Sequence, residues 1–136
     1  MTMDTRIHRI PAAWGPVIIY CAAIFAQSSF PTPDAVPSFY MSDKLLHACA
    51  YALMALLFYR ALGQHRVGAS PVKRSILTIV FTVIYGISDE FHQSFVPGRS
   101  PEVLDVAADG VGALIGVIAA QRFRHSGTRR RAAPTD

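Results

Sequence analysis

Four long apolar stretches constrain the fold of this chain more than any other feature of its sequence. They run from Ala12 to Phe30, Leu45 to Leu62, Ile76 to Phe91 and Val103 to Ala120. Each has about 16 to 19 residues, close to the roughly 20 that a helix needs to cross a bilayer. The stretches show no strict alternation of polar and apolar residues, and four strands cannot close a barrel. The sequence therefore predicts an all-α membrane protein, a compact bundle of four transmembrane helices.

The composition agrees with a membrane protein. Hydrophobic residues make up 51% of the chain and charged residues 16%, against about 25% charged in soluble domains. The two cysteines, Cys21 and Cys49, lie inside apolar stretches without the spacing of a zinc or redox motif. The alternative is a soluble helical core with a basic tail that binds nucleic acid. The basic residues form no single patch, so we expect no nucleic-acid partner.

The basic residues also predict the orientation of the chain. Eleven of the 13 lysines and arginines lie before the first apolar stretch, from the end of the second to the start of the third, or after the fourth. Only Lys44 lies between the first and second stretches, and only Arg99 between the third and fourth. Because positive charge marks cytoplasmic segments, we expect both termini of this multi-pass membrane protein in the cytoplasm. The basic start resembles a signal peptide, but no clear cleavage site follows, so we expect the first helix to be retained.

Two segments follow from this division of the chain. Residues 1–121 are expected to form the transmembrane domain, and residues 122–136 a basic, disordered cytoplasmic tail.

Ser100 and Pro101 are typical of a helix cap followed by a first helical residue, which predicts that the fourth helix begins at Pro101.

Polar and ionisable residues recur at helical spacing at the outer ends of three segments. Asp43, His47 and Tyr51 are each four residues apart and so share one face of the second helix. The corresponding pairs in the third and fourth segments are Glu90 with Gln93 and Asp105 with Asp109. We expect the three helices to bring these groups to the same level of the membrane.

Asp109 lies deepest, six residues beyond Val103, or about 9 Å at the helical rise per residue. A charge at that depth is costly in lipid, so these groups should turn inward and meet one another or line a wet cleft. Gly112 and Gly116 continue the same face as a stripe of small residues, which favours close packing of the fourth helix against a neighbour.

These residues together resemble the VanZ-like family of small bacterial membrane proteins. The resemblance is carried by the motifs Asp43-Lys44-x-x-His47-x-x-x-Tyr51, Tyr85-Gly86-x-x-Asp89-Glu90-x-x-Gln93, Pro97-Gly98-Arg99-Ser100 and Asp105-x-x-x-Asp109-x-x-Gly112-x-x-x-Gly116. The motif core covers residues 43–116, and Gln27-Ser28-Ser29 is similar to the end of the family's first helix. Asp109 departs from the pattern, because the family commonly has Asn there.

The resemblance implies a bacterial cell-envelope setting but no defined reaction. The family takes its name from a member linked to low-level resistance to the glycopeptide teicoplanin. The matched positions are interpreted as two groups. The candidate catalytic residues are Asp43, His47, Glu90, Gln93, Asp105 and Asp109. The candidate substrate-binding residues are Lys44, Tyr51 and Arg99.

Several functions remain open from the sequence. One is an enzyme at the outer leaflet that acts on a lipid-linked or phosphorylated envelope substrate. In it His47 would be a general base or metal ligand oriented by Asp43, while Lys44 and Arg99 would hold an anionic headgroup. The oxygen-rich donor set suits Mg²⁺, Mn²⁺ or Zn²⁺, although the sequence does not identify a cofactor.

The alternatives need no catalysis. The polar residues could bind a glycopeptide or lipid intermediate without changing it, or form a structural ion network that fixes helix register in a membrane scaffold. A transporter would require an oligomer, because four helices enclose only a small pore. The lipid bilayer is the one partner that every membrane interpretation shares.

Overall fold

The computed structural model contains four α-helices, as the apolar stretches predicted. It describes residues 5–31, 41–64 and 70–131, with side chains described for residues 12–31, 41–64 and 70–124. The helices are α1 (Thr5–Ser28), α2 (Ser42–Leu62), α3 (Pro71–Gln93) and α4 (Val103–Arg131). These ranges contain no strand. The prediction of an all-α membrane bundle is confirmed.

Two helix ends differ from those expected from hydropathy. α4 begins at Val103, two residues after Pro101, which leaves Glu102 just ahead of the helix. At its other end α4 continues to Arg131, so the segment expected to be a disordered tail begins as helix. Arginine is a good helix former, and hydropathy marks where the apolar span stops rather than where the helix stops. Residues 132–136 lie outside the described residues.

Three helices are long and apolar enough to cross a membrane: α2, α3 and the Val103–Arg124 part of α4. The apolar part of α1, Ala12–Ser28, is shorter. It corresponds to about 25 Å at 1.5 Å per residue, at the lower end of the range for a transmembrane helix.

The faces of α3 are reversed relative to those of a helix in a soluble protein. Its buried residues are mostly polar: Arg74, Thr78, Thr82, Gly86, Asp89, Glu90 and Gln93. Its exposed residues include Val72, Ile76, Val80, Ile84, Ile87 and Phe91. An exposed apolar face of this length is costly in water and favourable in lipid, whereas buried polar groups must find partners inside the bundle. This arrangement fits a helix surrounded by lipid on one side and by protein on the other.

The helices alternate in direction along the chain. α4 packs parallel to α2, because a Cβ on Gly112 would meet Ala48 and a Cβ on Gly116 would meet Ala52. In both cases the nearest atom is a backbone oxygen, so the two helix backbones approach closely and glycine is required at both positions. The predicted packing role of this small-residue stripe is confirmed.

Hydrogen bonds between helices give the directions of the other two. Gln121 near the end of α4 donates to Ser75 near the start of α3, at 2.9 Å, so these helices are antiparallel. The hydroxyl of Tyr85 donates to the Cys21 carbonyl of α1 at 2.6 Å. These helix directions place the start of α2, the end of α3 and the start of α4 at one end of the bundle.

An aromatic layer fills the middle of the bundle. Phe58 and Phe81 stack with ring centroids 4.0 Å apart, and Trp14 meets Phe58 edge to face at 5.3 Å. This layer separates the polar groups at the two ends of the molecule.

Candidate functional site

Eight polar side chains from three helices, with that of Glu102 just before α4, meet at the end of the bundle where α2 and α4 begin and α3 ends. We call them the acid cluster: Asp43, Lys44, His47, Asp89, Glu90, Gln93, Glu102, Asp105 and Asp109. Asp89, Glu90, Gln93, Asp105 and Asp109 are buried. Six carboxyl groups therefore share a small region with one lysine and one histidine.

Lys44 is the central cation of the outer part of the cluster. Its ammonium lies 2.6 Å from Asp43 Oδ2, 2.5 Å from Glu102 Oε2 and 2.9 Å from Asp105 Oδ1. The side chain is only 11% exposed, although two of its partners reach the surface. Lys44 thus offsets part of the negative charge of three carboxylates at the starts of α2 and α4 and joins the two helices.

His47 and Asp109 form the deepest pair. His47 Nδ1 donates to Asp109 Oδ1 at 3.0 Å, and the Asp109 side chain is fully buried. The carboxylate lies against Gly86 of α3, where a Cβ would collide with it. Glycine at position 86 therefore makes room for Asp109 beneath the histidine. The carboxylate fixes the tautomer and orientation of the imidazole, as it does for many metal-binding histidines.

A group suited to a metal ion lies above this pair. His47, Glu90 and Asp105 each offer a ligand atom, and the three atoms lie within 4.8 Å of one another. A second group with the same property consists of Asp43, Glu102 and Asp105. Its three carboxylates already surround Lys44, so the ammonium takes the place that a cation would occupy. The first group is therefore the better candidate metal centre.

Three carboxylate oxygens of the cluster are buried without a hydrogen bond among the described residues: Glu90 Oε1, Asp105 Oδ1 and Asp109 Oδ2. Asp105 Oδ1 has an ion pair with Lys44, which leaves Glu90 Oε1 and Asp109 Oδ2 with neither kind of contact. The other oxygen of Glu90 accepts the backbone N–H of Glu102 at 2.8 Å, which fixes the side chain in place. Buried carboxylate oxygens without partners are costly unless they bind a proton, water or cation. A bound cation would give these carboxylate oxygens the partner that they lack.

Two predicted residues line the floor of the cluster. The Tyr51 side chain is almost fully buried, its ring is parallel to that of His47 at 6.0 Å, and its hydroxyl lies near Asp89 and Asp109. Gln93 donates to Asp89 Oδ2 at 3.0 Å. These contacts position neighbouring groups within the site.

Asp43 and Arg99 both bond to groups other than His47 and the inner acids. Asp43 is exposed and bonded to Lys44, and the contact with His47 expected for it is made by Asp109 instead. Asp43 lies one helical turn before His47 on α2, nearer the end of the bundle. Asp109 lies on α4, which packs beside α2 and brings this carboxylate to the histidine. Arg99 Nε donates to the Phe30 carbonyl at 3.1 Å, which ties the loop before α4 to the end of α1.

Two members of the cluster were absent from the predicted site residues. Asp89 lies three residues before His92, a spacing that would let the two interact, but His92 turns to α1, where Nε2 lies 3.0 Å from Ser29 Oγ. Glu102 was placed inside the first turn of α4. Glu102 lies three residues before Asp105 and seven before Asp109, and this spacing could have indicated that it belongs to the cluster.

A comparison with protein-family models gives one match, to the VanZ/LLP1 family, over residues 17–124. This range covers most of the chain. The chain belongs to the VanZ/LLP1 family. No curated relative and no solved structure matches it significantly.

The matched range contains the whole acid cluster of this VanZ/LLP1 protein, together with all of α2 and α3. The resemblance inferred from the motifs is thus confirmed at the level of the family. The membrane setting is supported by the same match and by the three apolar spans.

Proposed function

We propose that this VanZ/LLP1 protein binds a divalent cation at His47, Glu90 and Asp105 and uses it to hold a lipid-linked anionic ligand at the outer face of the bacterial inner membrane. The observation that carries the proposal is the convergence of these three ligand atoms, one of them on the histidine that contacts Asp109. A histidine whose second nitrogen is bound by a carboxylate is the usual arrangement at protein metal sites.

The charge balance of the site supports a cation as the bridging group. Six carboxyl groups repel an anionic ligand, and Lys44 is already surrounded by three of them. Arg99 donates to a backbone carbonyl. A cation bound by the inner carboxylates would reverse the local charge and offer open coordination positions to a phosphate oxygen.

The surroundings of the site favour a ligand that comes from the lipid. Large apolar residues next to the cluster face outward, among them Leu45, Phe91, Phe95 and Leu104. An amphiphilic ligand can therefore keep its chain in the bilayer while its headgroup reaches the cation. A metal in this position can also polarise a phosphoryl oxygen and activate water, which is the step that would make the protein an enzyme.

The first test measures metal binding by the purified full-length protein. Titration with Mn²⁺ or Zn²⁺, followed by calorimetry or by Mn²⁺ spin resonance, is expected to show one site per chain. His47→Ala and Glu90→Gln should weaken binding about 100-fold, as loss of a ligand commonly does. The matched controls are His92→Ala and Glu102→Gln, which change the same residue types outside the inner group.

Two outcomes would contradict the proposal. One is the absence of saturable binding for every divalent ion tested. The other is equal loss of affinity in the site variants and in the controls, because this would mean that the ions only screen the surface charge.

A structural ion network is the second candidate function, and the three ion pairs of Lys44 are the observation that favours it. If the cluster only fixes the register of α2 and α4, Lys44→Met should lower stability by about 3 kcal/mol with or without metal. Under the metal proposal Glu90→Gln should abolish metal-induced stabilisation while leaving the metal-free protein as stable as before. Thermal unfolding followed by circular dichroism, with and without the ion, separates the two.

The family's link to teicoplanin suggests the cellular test. A strain that expresses this protein is expected to become less susceptible to teicoplanin, and His47→Ala at equal membrane abundance should remove the effect. Unchanged susceptibility with the wild-type protein would argue against a role in glycopeptide resistance and leave metal binding to be judged by titration.

A further inference from the structure

A cavity of 440 Å³ lies at the end of the bundle opposite the acid cluster. It is partly open and is lined by residues from the last turns of α2, the first turn of α3 and the later part of α4. We call it the arginine cavity, since three arginines, Arg60, Arg74 and Arg124, are among its lining residues. Its volume falls in the range of small-molecule pockets, about 300–1,000 Å³.

Arg74 is held rigidly in the wall of this cavity. The side chain is buried, and its guanidinium carbon lies 4.9 Å from the centre of the Tyr59 ring. Gly63 provides the space on the other side, because a Cβ there would come within 2.9 Å of Arg74 Nη1. Stacking on an aromatic ring and packing against glycine fix the planar guanidinium in one orientation.

Positive charge is concentrated around this guanidinium. Arg74 and Arg124 are close enough for their charges to interact, and Arg60 lies on the same cavity wall. None of the described residues that line the cavity is acidic. Arg74 also lies in the first turn of α3, where the helix dipole is positive and a basic residue is disfavoured. The described lining of the cavity therefore carries a net positive charge.

We propose that the arginine cavity is a binding site for a phosphate-bearing anion. Guanidinium groups present paired N–H donors that match two phosphate oxygens, and a fixed guanidinium loses little entropy when it binds. The cavity opens at the end of the apolar spans, where both lipid headgroups and soluble phosphates are within reach. The chemistry of recognition is the same for both sources.

The test compares the two sources with the full-length protein. In micelles of a neutral detergent, inorganic phosphate and pyrophosphate are titrated while thermal unfolding is recorded. In parallel, the protein is placed in phosphatidylcholine nanodiscs with and without phosphatidylglycerol, and retained lipid is measured by native mass spectrometry. Saturable stabilisation by the soluble anions identifies a free phosphate, and selective retention of phosphatidylglycerol identifies a headgroup.

Matched variants decide whether binding takes place in the cavity. Arg60→Gln and Arg124→Gln remove one exposed cavity arginine each and should weaken binding about tenfold. Lys73→Gln and Arg122→Gln remove the same charge from neighbouring exposed positions that do not line the cavity, and they should leave binding nearly unchanged. The proposal is overturned if neither anion source binds, or if cavity and control variants lose affinity equally. The proposal does not depend on metal binding at the acid cluster.

Discussion

Asp109 has no exposed surface, and a carboxylate in that setting persists only when its surroundings compensate its charge. One oxygen accepts the His47 ring N–H, while the other lies against Gly86 without a partner among the described residues. At the scale of single residues, this pair sets the direction in which the second imidazole nitrogen points. The family commonly has Asn at this position, so the charge of Asp109 is the specific feature to test.

Asp109→Asn should keep the histidine in place, because an amide oxygen can accept the same hydrogen bond. The variant should fold normally and bind a divalent cation about 10- to 100-fold more weakly, as expected when a carboxylate behind a metal-binding histidine is neutralised. Titration of the purified protein with Zn²⁺ measures the change. Unaltered affinity would mean that the charge of Asp109 has no part in holding the ion.

At the scale of helices, the contact between α2 and α4 determines whether the acid cluster forms. Gly112 and Gly116 bring the backbone of α4 against Ala48 and Ala52 of α2. The same approach lets Lys44 on α2 reach Glu102 and Asp105 beside and within α4. Separation of these helices would therefore break the ion pairs as well as the packing.

Gly112→Ala is expected to destabilise the protein by about 1–3 kcal/mol, the usual cost of overpacking, because the new methyl group meets backbone atoms that cannot move aside. Gly110→Ala is the matched control, since a Cβ there meets only Val83 at an ordinary distance of 3.8 Å. Alanine also favours a helix over glycine, so the control should be neutral or slightly stabilising. Thermal unfolding in detergent compares the Gly112→Ala and Gly110→Ala variants. Equal melting temperatures of the two would contradict the close approach of α2 and α4.

At the scale of the whole molecule, charges of opposite sign lie at opposite ends. Arg74 and Asp89 are both on α3, about 22 Å apart along the helix at 1.5 Å per residue. The acid cluster holds most of the described carboxylates, while the arginine cavity lies at the end that carries the basic segments. The positive-inside rule predicts that the arginine cavity faces the cytoplasm, as it predicts for both termini.

Cysteine labelling tests this orientation. In a Cys21→Ala, Cys49→Ala background, Ser100→Cys should react with a membrane-impermeant maleimide in intact cells if the loop before α4 faces outward as predicted. Gln64→Cys, at the opposite end of the bundle, should react only after the cells are permeabilised. The reverse labelling pattern would place the acid cluster in the cytoplasm and exclude an outer-leaflet ligand for it.

The sequence by itself determined the number and type of the elements and the stripe of small residues between helices. These properties depend on the composition and spacing of residues within one segment, which the chain specifies locally. It also predicted that Glu90, Asp105, Asp109 and His47 would turn inward, because lipid excludes charge.

Only the tertiary structure decided which of these groups meet. Spacing places Asp43 and His47 on one face of α2. The position of α4, however, brings Asp109 into contact with the histidine, while Asp43 forms an ion pair with Lys44. The arginine cavity likewise combines residues from three helices far apart in sequence. Contacts between helices depend on how whole elements pack against one another, and no local pattern in the chain encodes that arrangement.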